Sequence, residues 1–183
     1  MKKYITTSYK QTQKIGEDFA RELSSSRPAS PSLGGKRGSR SWIPDQVGND
    51  KRTGALVIAL YGNLGGGKTT FLQGFAKGLG IKENVLSPTF VIMKKFKPQK
   101  LSVLTNERPS KSQDYYFYHF DCYRLNKAED ILELNFKEII SDPKNIVAIE
   151  WPEKIKKLLP KERIEIDFKF ISENEREIII KSF

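Results

Sequence analysis

Apolar residues recur every four positions at Ile15, Phe19 and Leu23, so residues 8–23 read as an amphipathic helix with one buried face. Ser8 and Gln11 hold the positions of a capping box, in which two side chains satisfy backbone N–H groups left open by the first turn. The periodicity then stops. Residues 24–53 are rich in Ser, Gly, Pro and Arg and follow neither a helical nor a strand period. So long a structureless stretch is unusual within a compact domain. Long surface insertions add little closure entropy, and the segment reads as an inserted, disordered loop rather than a lid.

Residues 55–61 (ALVIALY) form a short apolar run of the kind that makes a buried parallel strand. After a glycine-rich stretch a helical pattern follows, with Phe71, Leu72, Phe75, Ala76 and Leu79 apolar and Gly80 placed to end it. Residues 85–95 read as a loop entering a strand, and 96–114 as a basic irregular loop. The aromatic run 115–124 (YYFYHFDCYR) reads as a strand, 128–140 as a helix, 145–151 as a second buried strand and 152–159 as a short helix. Two apolar segments close the chain, 163–171 and 176–183, and the polar SENE between them predicts an antiparallel hairpin. Strands alternating with helices before a terminal hairpin predict one α/β domain over 1–183, a mixed β-sheet flanked by helices.

The candidate chemistry begins at residues 62–69. Gly62, Asn63, Leu64, Gly65, Gly66, Gly67, Lys68 and Thr69 match G-x-x-x-x-G-K-[ST], the phosphate-binding P-loop, between an apolar strand and an amphipathic helix. Glycines let successive backbone N–H groups curl inward onto phosphate oxygens, and the following helix adds its positive end. Lys68 is expected at the β- and γ-phosphates of ATP, with the Thr69 hydroxyl on Mg²⁺. Phosphoryl chemistry also needs an acid on a neighbouring strand. Glu150 closes the apolar run IVAIE, where the strand's C-terminal edge would carry it to the site. Asp121, near the end of the aromatic strand, is a second candidate, and which of the two holds Mg²⁺ and which orients water stays open. Thr89, in SPTF, stands where a loop sensing the γ-phosphate would lie. His119 and Cys122 read as packing residues, and Arg124 as a partner for Asp121 or nucleotide.

Composition narrows the picture. The net charge of +10 suggests a nucleic-acid binder until it is located: residues 1–54 hold 11 Lys/Arg against 5 Asp/Glu, and residues 94–113 hold 6 against 1. The excess falls largely in the two irregular loops, where a solvated face is the simpler reading. One cysteine excludes an internal disulfide, and one histidine beside it offers no ordinary metal site. No apolar run nears the roughly 20 residues of a membrane span, and no apolar core follows the N-terminal lysines as a secretory signal requires; a cytoplasmic location away from membranes is expected. A small-molecule kinase built on the same P-loop is the alternative, but residues 94–113 carry one arginine, Arg108, where a kinase lid needs several.

Four ordered blocks, GNLGGGKTT, SPTF, HFDCYRL and EWPEK, resemble those of the TsaE family: G-D-L-G-A-G-K-T-T, S-P-T-F, H-x-D-x-Y-R and E-W-P. The resemblance covers nearly everything outside 24–53 and part of 96–114. It implies a P-loop NTPase-like fold and a Mg²⁺-dependent ATPase, slow without partners, in the threonylcarbamoyladenosine modification of tRNA. It implies an enzyme that acts on a TsaB–TsaD complex, resetting it between turnovers, meets tRNA only through that complex and does not itself transfer the group. By the same resemblance Lys68, Asp121 and Glu150 are catalytic; Thr69, Thr89, Asp121 and Glu150 serve the metal. Thr70 and Trp151 join residues 62–69 around the nucleotide. One departure is Asn63, where the family has Asp; it keeps the shape and removes a negative charge beside the phosphate loop.

Overall fold

The computed structural model describes residues 1–25, 54–87, 91–99 and 115–182. The chain runs β1 (Lys2–Thr6), α1 (Tyr9–Ser25), β2 (Leu56–Tyr61), α2 (Lys68–Gly78), β3 (Met93–Phe96) and β4 (Tyr116–Asp121). A 3₁₀ segment (Ala128–Leu134), α3 (Phe136–Ser141), β5 (Asn145–Glu150), a second 3₁₀ segment (Pro152–Leu158), β6 (Ile164–Phe170) and β7 (Arg176–Ser182) follow.

The strands form one seven-stranded sheet in the order β1-β7-β6-β2-β5-β4-β3. Its centre is parallel, β2 pairing with β5 and β6, and β4 with β5. β3, β7 and β1 add antiparallel edges, and β6–β7 is the expected terminal hairpin. The mixed α/β fold read from the sequence is the fold observed. β2 and β5 are buried nearly throughout because both faces of the sheet are covered, which is why they read as continuous apolar runs. On one face Ile58, Leu60, Phe117, Ile146, Ala148 and Ile166 pack against α1 and α2. On the other, Val57, Phe120, Val147 and Ile149 meet Ile131, Phe136 and Ile155 from the 3₁₀ segments and α3.

Helices α1 and α2 touch backbone to backbone. A Cβ on Gly16 would stand 2.1 Å from the Phe71 carbonyl oxygen, and one on Gly74 would stand 1.8 Å from that of Gln13. This close approach sets the start of α1 beside the start of α2, so that Ser8, Tyr9 and Thr12 border the same cleft as the P-loop.

Several expectations need correction. α1 extends to Ser25, so the first two residues assigned to the inserted loop are helical, and residues 26–53 lie outside the described residues. The capping pair is only partly formed as expected: Gln11 N–H donates to Ser8 Oγ at 3.3 Å, while Gln11 Oε1 accepts from the Thr7 N–H at 2.7 Å. Phe96, assigned to the basic loop, ends β3, and residues 100–114 lie outside the described set. The single helix expected over 128–140 is two pieces. Asn135 separates them at φ 54°, a left-handed conformation that Asn tolerates better than most residues. The aromatic strand stops at Asp121. Finally, β1 had no counterpart in the sequence reading; it is a short edge strand whose more buried positions are Lys2, Tyr4 and Thr6.

Candidate functional site

Parallel strands β2, β4 and β5 all end at one edge of the sheet, which is where open α/β sheets place their sites. β2 leads into residues 62–67. The backbone there takes left-handed turns that only glycine adopts freely, with φ 131° at Gly62 and 97° at Gly67. Gly62 also has no room for a side chain, since a Cβ would meet the Phe168 carbonyl oxygen at 2.3 Å. α2 opens directly at Lys68, which points its N-terminal N–H groups back into the loop.

Asp121 and Glu150 are register partners at the last positions of β4 and β5. Strand alternation directs Glu150 to the face of Ile146 and Ala148, and Asp121 to the face of Phe117. Both therefore face α2. Glu150 is buried and its Oε1 accepts the Thr69 hydroxyl at 2.8 Å. The same oxygen meets Nε2 of His119 at 2.9 Å. Asp121 accepts the Ser87 hydroxyl on Oδ2 and the Tyr123 N–H on Oδ1 at 3.0 Å.

Lys68 is buried at the floor. Its Nζ donates to the carbonyls of Gly62 at 2.6 Å and Asn63 at 3.0 Å, and stands 4.1 Å from the centre of the Trp151 ring. Burial pulls its pKa below the ordinary lysine value, and the carboxylates of Glu150, Glu153 and Asp121 partly oppose that shift. Trp151 is left-handed at φ 58° and its indole lies 5.0 Å from the Tyr123 ring.

These groups border a cleft of about 460 Å³, lined by Leu64 to Thr70, Asp121, Glu150 and Trp151. Gly62 and Asn63, named from the motif, do not line it; they act through the carbonyls that hold Lys68. Thr89 lies outside the described residues, and Ser87, at the near end of its loop, is the described residue that touches Asp121. Two participants were not foreseen. His119 is fully buried, as a packing residue would be, yet bonds the site's carboxylate. Arg176, at the start of β7, donates Nε to the Gly65 carbonyl at 2.8 Å and Nη1 to the Ser172 carbonyl at 2.7 Å, tying the hairpin turn to the P-loop. His119 shares the face of Asp121 two positions on, a parity visible in the sequence. Arg176 gave no such signal, because its partner lies 111 positions away.

A hydroxyl and two carboxylates beside the N-terminus of α2 make an oxygen-rich cleft suited to a hard cation beside an anionic ligand. Among the described residues no three His, Cys, Asp or Glu side chains cluster to hold a metal alone. The family model described as "Threonylcarbamoyl adenosine biosynthesis protein TsaE" matches residues 6–178. The chain belongs to the TsaE family. A Bacillus subtilis protein named "tRNA threonylcarbamoyladenosine biosynthesis protein TsaE" is 37% identical over 122 residues, covering 67% of this chain and 66% of that one. A Rickettsia felis protein of the same name is 35% identical over 121 residues, covering 66% of this chain. The match spans only 61% of that relative's length, against 73% of the Rickettsia prowazekii protein, which is also 35% identical over 66% of this chain. The crystal structure of YdiB from Bacillus subtilis superposes with a TM-score of 0.56 at 24% identity, covering 99% of this chain and 84% of that one; that likeness speaks to the TsaE chain's fold alone.

Proposed function

We propose that this TsaE chain binds Mg-ATP in the P-loop cleft and hydrolyses it. ATP turnover would serve threonylcarbamoyladenosine formation on tRNA by acting on a TsaB–TsaD complex. The observation that carries the reading is the meeting of Thr69 with Glu150, at 2.8 Å, at the floor of the P-loop cleft. It unites the two halves of a phosphoryl-transfer site, which the sequence holds far apart.

The residues present fit the magnesium ion that such chemistry uses. Mg²⁺ keeps several waters and takes one or two carboxylates plus substrate phosphates, so a hydroxyl and two acids suffice. Thr69 and one of Asp121 and Glu150 would hold it, and its charge would offset that building on the phosphate oxygens. The chain's own groups do the rest. Backbone N–H groups of residue 65 and of residues 67–69 would bind and orient the phosphates, the Gly66 N–H being bonded to the Asn63 carbonyl at 3.1 Å. Lys68 has two of its three N–H donors on loop carbonyls, which aims the ammonium along the cleft floor. Glu150, which is buried, would accept a proton from, or align, an attacking water. Trp151 and Tyr123, in ring contact with each other, line the same cleft.

The family's name supports the pathway, and the names of the relatives point to the same modification. No helix among the described residues is long and apolar enough to cross a membrane. The deciding experiment follows labelled ATP with the chain alone, then with TsaB and TsaD added. Free phosphate released faster with the partners is the expected result. Label appearing in a small-molecule acceptor would overturn the assignment in favour of a kinase.

A further inference from the structure

The geometry points to His119 as a positioning residue that fixes Glu150 through an Nε2–H hydrogen bond and leaves Glu150 Oε2 as the oxygen that faces the chemistry.

His119 lies on β4 diagonally opposite Glu150, since its register partner on β5 is Ala148. The imidazole is fully buried and its Nε2 lies 2.9 Å from Glu150 Oε1. Its Nδ1 is the one buried side-chain nitrogen or oxygen among the described residues without a hydrogen-bond partner. A carboxylate only accepts, so the shared proton belongs to Nε2. A proton on Nδ1 would leave a buried donor unmet, a costlier state than a bare acceptor. Geometry therefore puts the shared hydrogen on Nε2.

The consequence falls on Glu150. Oε1 receives two donors from two different elements, Thr69 at the start of α2 and His119 on β4. Two fixed donors on one oxygen hold the carboxyl plane against rotation. No described residue donates to Oε2, and Glu150 lines the cleft. The division of labour is thus between an anchored oxygen and a working one.

The kinetic part of this inference rests on hydrolysis as proposed above; the hydrogen bond does not, and the test separates them. The chain has a single histidine, so its imidazole gives one pair of nitrogen resonances. Long-range ¹H–¹⁵N spectra of the full chain at neutral pH should show Nε2 protonated and Nδ1 bare, and Glu150→Gln should move Nε2 more than Nδ1. A proton on Nδ1, or a spectrum indifferent to Glu150→Gln, overturns the bond. For kinetics, His119→Leu should lower kcat about tenfold or more with KM for ATP kept within about threefold, as loss of an outer support does. His119→Gln, whose amide nitrogen reaches the place of Nε2, should restore most of the rate. Equal wild-type rates in both variants overturn the positioning role, and equal losses in both reduce His119 to packing. Absence of hydrolysis in the wild type sinks the ATPase reading while the spectra still decide the bond.

Discussion

The Thr69 hydroxyl and the Glu150 carboxylate lie 2.8 Å apart although 81 positions separate them in the chain. They meet because β2 and β5 are parallel neighbours, with Leu60 opposite Glu150, and α2 starts one short loop beyond β2. Glu150→Gln keeps size and burial and removes the charge. Mg-ATP affinity should stay within about threefold while turnover falls about a hundredfold, since a positioned base contributes on that order. Titration calorimetry and phosphate release, run on the same preparation, check the split.

Arg176 should matter for affinity rather than for chemistry. Besides Gly65 and Ser172 it bonds the carbonyls of Glu173 and Glu175 and lies 4.5 Å from the centre of the Phe170 ring. Removing it frees the hairpin turn from the P-loop. Arg176→Ala should weaken Mg-ATP binding about tenfold, and Arg176→Lys should not restore it, because an ammonium cannot reproduce the planar fork. Unchanged Kd in the alanine variant would show that the loop holds its shape unaided.

Gly16→Ala tests the contact that brings α1 beside the site. Alanine favours a helix by about 1 kcal/mol over glycine. Here the added methyl would meet the Phe71 carbonyl at 2.1 Å, and α1 would have to move away. A net loss of about 1–3 kcal/mol is expected, as for other overpacked sites. Urea unfolding measures it, and a neutral or stabilising effect would contradict the packing.

Cys122 should be silent to thiol reagents in the native protein. Burial, with the Asp121 and Glu153 charges adding to it, pushes its pKa up to about 12 from an ordinary 9.0. The sign follows from linkage. Between those values the unfolded thiol has lost its proton and the folded one keeps it, so stability falls as pH rises through that window. Cys122→Ala should flatten this alkaline limb. Thiol titration should find the single cysteine only after denaturant is added.

Much of the fold was legible because buried parallel strands and amphipathic helices write strong periods. β2, β5, α2 and the terminal hairpin fell close to the expected bounds. β1 was missed because its inward positions are Lys2, Tyr4 and Thr6, so its alternating burial is not matched by an alternation of apolar and polar residues. The break at Asn135 was missed because the apolar residues on both sides, Ile131 and Ile139, are buried as one continuous helix would bury them. In the site, Lys68, Thr69, Asp121 and Glu150 were named from motif and strand position, and the fold brings all four to one cleft. The Lys68 contacts with Gly62 and Asn63 could not be read, since a motif specifies which residues are present and not which carbonyls a buried ammonium finds. His119 is buried as a packing residue would be; its Nε2 contact with Glu150 could not be read, since it depends on the register of β4 against β5.

Calorimetric titration of the folded chain with Mg-ATP bears most directly on the central claim. One saturable site is predicted, with affinity lost at least about tenfold in Lys68→Ala, as removal of a charge-assisted phosphate contact requires. Absence of binding heat at two temperatures, with circular dichroism showing the chain folded, would contradict it.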